Sequence, residues 1–202
     1  MSLAIVRTRA SCGLAAPVVT VEVHLSNGLP SFSIVGLPET VVRESRERVR
    51  SALLTSGYNF PARRITVNLA PADLPKEGGR FDLPIALGIL EASDQLPVRC
   101  LNALECVGEL GLGGELRPIQ GALVLSRAVS QEERTLVLPA ANVEEALLVA
   151  GAKVLSVSHL TELTAHLSGR RVLPYTRPEP SRTLSITGPD MADVRGQYLG
   201  RR

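Results

Sequence analysis

The chain has 202 residues, long enough for one large domain or one ordinary domain with a tail, and its 45% apolar and 21% charged residues exclude disorder by composition. Aromatics make up 3% and tryptophan is absent, so the core must be built from Val, Leu, Ile and Ala, and platforms for stacking single-stranded bases are scarce. A net charge of +2 does not mark a nucleic-acid binder.

Cys12, Cys100 and Cys106 lack metal-type spacing and read as small apolar residues in a reducing cytoplasm. Neither a signal peptide nor a membrane-spanning run is expected, so the chain is read as cytoplasmic with no membrane partner.

Val19, Val21, Val23 and Leu25 alternate with Thr20, Glu22 and His24, which predicts a half-buried strand. Asn27-Gly28 predicts a turn that brings 31–35 back as its hairpin partner. A helix is predicted over 38–56, with Val42, Val49, Ala52 and Leu53 as the buried stripe and Gly57 ending it. Its other face carries Arg43, Glu44, Arg46, Glu47, Arg48 and Arg50. The interleaved acids repel phosphates, so a solvated, internally paired face is expected there rather than a DNA contact. Arg63 and Arg64, just before a predicted strand at 65–69, are better phosphate candidates.

The segment 68–84 then joins that strand to a helix at 83–90 that is too apolar for a surface. Its bend holds Lys76, Glu77, Gly78, Gly79 and Arg80. Adjacent glycines let amides point into one space, and a helix start behind them adds partial positive charge. No serine or cysteine occurs from Gly57 through Ala92, so the bend lacks the usual nucleophiles. Two readings stand: a contact site for DNA, a nucleotide phosphate or a neighbouring subunit, or a salt-bridged loop that only shapes the helix entry. Asp82 is read as the N-cap of the helix, with Pro84 in its first turn.

Further on, strands are predicted at 104–109 and 115–119 around Gly113-Gly114, a helix at 121–129, a strand at 135–138 and a helix at 142–150. Asn142 and Glu145 form a variant capping box for that last helix. A strand at 153–157 and a helix at 159–167 follow; His159 and His166 could share a face of the latter but lack a third metal ligand. After Ser168, Pro174, Pro178 and Pro180 interrupt a polar stretch, so the reading is a domain at 1–173 and a linker at 174–202. Hairpins first and β-α alternation later predict an α/β fold with a mixed sheet and packed helices.

Three stretches together resemble the N-terminal domain of the ComM/YifB family, also called magnesium-chelatase-like. They are Ile34-Val35-Gly36-Leu37-Pro38-Glu39, the 68–84 run, and Val107-Gly108-Glu109-Leu110-Gly111-Leu112. Asp190-Met191-Ala192-Asp193-Val194-Arg195-Gly196-Gln197 resembles the lead-in to that family's AAA+ ATPase module. The chain itself holds no G-x-x-x-x-G-K-[ST] P-loop.

The resemblance implies a fold like the proteolytic domain of Lon, whose serine–lysine dyad needs an amine to take the serine proton and amides to hold the oxyanion. Where Lon has P-K-D-G-P before its serine, this chain has Pro75-Lys76-Glu77-Gly78-Gly79 followed by Arg80. Where Lon has P-I-G-G-L before its lysine, this chain has Pro118-Ile119-Gln120-Gly121-Ala122 followed by Leu123.

Both catalytic positions are thus replaced, and the chain is expected to be no enzyme, with no catalytic residue, cofactor or metal of its own. The resemblance implies a hexameric AAA+ helicase that uses ATP and Mg²⁺ in another module and promotes DNA branch migration in natural transformation. In it, this domain would partner its own AAA+ module, further copies and DNA. The rival readings are a residual Lon-type peptidase with a relocated nucleophile, Ser126 being nearest to the lost lysine, and a magnesium-chelatase-like subunit.

Overall fold

The computed structural model describes residues 2–176. The predicted linker from 177 onward and the 190–197 lead-in fall outside the described residues. The fold is mixed α/β, with a four-stranded mixed sheet, a three-stranded parallel sheet and a two-stranded antiparallel one.

The first sheet contains β1 (Ser2–Arg9), β2 (Val18–Ser26), β3 (Ser31–Val35) and β4 (Arg64–Ala70), in spatial order β1-β2-β4-β3. β2 lies antiparallel to β1 and β4, while β3 runs parallel to β4. The expected β2–β3 hairpin does not form. β4 is inserted between the two strands, so that Ser26 and Ser31 both stand opposite Arg64. The reason lies in burial: Ile65, Val67 and Leu69 of β4 are fully buried and suit a central strand. β3, with exposed Ser31, Ser33 and Val35, suits an edge. β1 was not foreseen because its large apolar residues, Leu3 and Ile5, point outward while Ala4, Val6 and Thr8 point in.

Helix α1 (Thr40–Thr55) packs Val42, Val49, Ala52 and Leu53 inward, as its stripe predicts. Helix α2 (Asp82–Ala92) is buried on nearly every side and packs against β1, β2 and α1, which explains its unbroken apolar sequence.

The second sheet is parallel, in order β5 (Leu104–Cys106), β8 (Thr135–Pro139), β9 (Lys153–Val157). Between β5 and β8 come a two-residue hairpin, β6 (Glu109–Leu110) with β7 (Leu116–Arg117), and helix α3 (Ala122–Gln131). A short helix α4 (Val143–Ala146) precedes β9, and α5 (Leu160–Leu167) follows it. The predicted strands at 104–109 and 115–119 and the helix at 142–150 are therefore shorter than expected. The sheets are tied where β1 meets β5. Buried Glu105 takes Arg9 at 2.6 Å and Arg134 at 3.1 Å, and Arg9 also reaches Glu132 at 2.5 Å. The chain remains attached past residue 173, since the Thr176 amide donates to the Val154 carbonyl at 2.9 Å. Among the described residues no helix is long and apolar enough to cross a membrane.

Candidate functional site: a plugged cavity at the glycine bend

The bend leaves β4, passes Lys76 and enters α2 through a single 3₁₀ turn at Gly79–Phe81. Lys76 is fully buried. Its ammonium donates to the Pro71 carbonyl within the same loop, and its backbone bridges to Pro38 and accepts the Glu39 amide at 3.3 Å. Burial pushes its pKa below the ordinary lysine value, against the opposing charge of Asp73. Lys76 is thus a staple inside the loop that holds the Gly36–Glu39 turn against it. Gly36 has φ +97° and its Cα rests on the Leu69 backbone, where a Cβ would overlap.

Glu77, Gly78, Gly79 and Arg80 line one side of a cavity of about 350 Å³, and Glu109, Pro118, Ile119 and Gln120 line the other. The structure therefore brings together the two segments in which the resemblance to Lon expects a serine and a lysine. Arg80 is buried to 9% exposure; its Nη2 reaches the Gln120 carbonyl at 3.3 Å, while its Nη1 is buried without a partner. Burial lowers its pKa from the ordinary arginine value, opposed by Glu77, which is exposed on the loop. Gly79 lies directly against the Glu109 side chain, which in turn faces Arg117 at 3.7 Å. Leu123 sits outside the lining, 39% exposed in the first turn of α3.

The far wall is held by residues that the sequence reading placed elsewhere. Asn142 does not cap a helix with its side chain. Its amide oxygen accepts the Ile119 N–H at 2.9 Å and its amide nitrogen donates to the Ile119 carbonyl at 2.8 Å, imitating a strand partner. Glu145 likewise accepts the Leu123 N–H at 3.0 Å. The capping-box pair thus braces the 119–123 segment.

Asp82 is corrected as well. The helix cap is Phe81, and the buried Asp82 carboxylate accepts the Arg48 guanidinium at 2.7 Å, the Leu110 amide at 3.2 Å and the Ser45 hydroxyl. Burial still pushes its pKa above the ordinary aspartate value, with Arg48 as the main opposing partner. Arg48 consequently leaves the solvated face of α1. The expected internal pairing of that face reduces to Arg48 with Glu44 at 4.0 Å.

Ser126, the relocated nucleophile of the peptidase reading, is 1% exposed and donates to the Ala146 carbonyl at 2.8 Å. His159 caps α5 and contacts the Gly113 carbonyl at 3.0 Å, while His166 accepts the Leu173 amide at 3.0 Å. Arg63 and Arg64 are exposed at the opposite end of β4 from the cavity, so they form no part of it. The cavity side chains include no hydroxyl, thiol or imidazole. They can hold ion pairs and hydrogen bonds. They do not fit ATP with Mg²⁺: the lining carries two glutamates and a single buried arginine, and the chain has no P-loop lysine.

Residues 21–142 match the family model described as subunit ChlI of Mg-chelatase. The chain is 49% identical over 203 residues to the uncharacterized protein YifB of Escherichia coli and 48% identical over 206 residues to the competence protein ComM of Haemophilus influenzae. Both alignments cover 100% of this chain, which spans 40% of each relative's length. Similarity to Lon protease 2 of Bacillus subtilis is weaker, 26% identity over 145 residues, covering 70% of this chain and 25% of that protein.

Proposed function

The chain belongs to the family of the Mg-chelatase ChlI subunit, as the N-terminal region of its YifB/ComM members, and we propose that it serves there as a non-proteolytic accessory domain. The whole protein, in this reading, is a ring-forming AAA+ ATPase that moves DNA branches during natural transformation. This domain, on a Lon-like fold, assembles the ring, contacts DNA, or both. ATP and Mg²⁺ belong to the motor module and have no place in this chain.

The observation that carries the reading is Arg80. A guanidinium stands where the resemblance to Lon expects a serine, and it reaches across the cavity to the wall on which a lysine is expected. The site keeps its frame and has exchanged reaction for recognition. The competence name of the 48% identical relative supports placing that role in natural transformation. The peptidase alternative finds no support in Ser126, which is buried and hydrogen-bonded away from the cavity.

The test is a solution mass measurement combined with titration of the chain against branched and duplex DNA. Self-association weakened by Arg80→Met, or DNA binding, is the expected result. A chain that stays monomeric and binds no DNA overturns the reading.

A further inference from the structure

Of the three phenylalanines in the sequence, Phe81 is in the core. The other two, Phe32 on β3 and Phe60 just before β4, lie together at the edge of the first sheet, half-buried, with ring centroids 5.8 Å apart and planes at 46°. The Arg50 guanidinium of α1 sits 5.1 Å from the centre of the Phe60 ring. These groups, with Leu54, Pro61 and Arg63, frame a cavity of about 350 Å³. Its only charged lining residues are Arg50 and Arg63. Arg46, whose Nη1 donates to the Phe32 carbonyl at 3.3 Å, stands beside it. Among the described residues none of Arg46, Arg50 and Arg63 lies within 4.0 Å of a carboxylate.

We propose that this groove binds single-stranded nucleic acid, with one base against the Phe32–Phe60 pair and the flanking phosphates on Arg46, Arg50 and Arg63. The inference rests on the DNA-contact half of the proposed function and gives it a location away from the Arg80 cavity. Unpaired arginines are complementary to a phosphodiester chain, and aromatic faces stack any base regardless of sequence. A duplex keeps its bases stacked on one another and offers none to the rings without breaking pairs. Single strands are therefore the preferred ligand. The scarcity of aromatics is no obstacle, because the fold gathers two of the three phenylalanines in one place.

The test is fluorescence anisotropy of the 202-residue chain with a labelled oligothymidylate of about twelve nucleotides, and with a hairpin duplex of similar length, across a salt series. Phe60→Leu, which keeps apolar volume and removes the ring, is expected to weaken oligothymidylate binding by about 5-fold or more. Arg63→Gln, on the surface, is expected to lower the slope of log affinity against log salt by about 0.7. Equal affinity of wild type and Phe60→Leu, tighter duplex binding, or preferential capture of polyglutamate overturns the groove. If oligothymidylate is not bound but the chain self-associates in an Arg80-dependent way, the groove falls and the assembly reading stands.

Discussion

The Arg48 guanidinium lies 2.7 Å from the Asp82 carboxylate and joins the middle of α1 to the first turn of α2 across 34 residues of sequence. Asp82 is wholly buried, and its other acceptor positions are filled by Ser45 and the Leu110 amide. One carboxylate therefore ties together α1, α2 and the β6–β7 hairpin, and the hairpin's Glu109 lines the cavity.

Arg48→Met leaves that carboxylate buried without its cation. The expected cost is about 3 kcal/mol, read as a lower denaturant midpoint at unchanged slope. The double variant Arg48→Met with Asp82→Asn should recover a large part of the loss, because no charge is then stranded. A double variant no more stable than the single one would show that the pair matters by shape alone.

Asn142→Ala removes both bonds to Ile119 at once and leaves a backbone donor and acceptor unsatisfied in a half-buried strip. A loss of about 1–3 kcal/mol is expected. Faster hydrogen exchange at the Ile119 amide, with β8 unaffected, would locate the damage at the cavity wall.

The Glu132 carboxyl is held below its ordinary value of 4.5, chiefly by its hydrogen bond from Arg9. A depressed native pKa means the unfolded state binds more protons in this range, so stability falls as pH drops through 4.5 toward the native value. The stability difference between wild type and Glu132→Gln should be full above pH 4.5 and close on acidification. Chemical denaturation at matched pH values measures it, and a constant difference would refute the linkage.

The three thiols should react in sequence. Cys12 is exposed, Cys100 is partly buried with its thiol pushed up to about 11 by burial, and Cys106 is fully buried and pushed up further. A thiol-specific reagent at pH 8 should modify Cys12 at once, Cys100 slowly, and Cys106 only on unfolding.

Much of the fold was legible because its periodicities are local. The alternation of Val19 to Leu25 and the stripe of α1 need only their own neighbours to be read. What escaped was pairing at a distance. Asn27-Gly28 signals a turn correctly but carries no information about β4, which arrives more than thirty residues later to take the place beside β2. Asp82 looked like a cap because its partner sits on another helix, and Asn142 because Ile119 lies on another segment. At the cavity, sequence named Glu77, Gly78, Gly79 and Arg80 as one loop, and in the fold they line one wall of it. It could not show that Lys76 turns away from them onto Pro71.

Ser26 and Ser31 stand on either side of Arg64, so the 27–30 turn straddles the end of a strand that is made later in the chain. A nascent chain meets the tempting partner first: β3 can fold back on β2 as soon as both exist. The finished sheet excludes that pairing: β4 holds the edge of β2, and β3 lies on the far side of β4. Order of arrival and order in space are thus opposed. Folding of this sheet should be paced by the slow, long-range docking of β4 rather than by the quick closure of the turn.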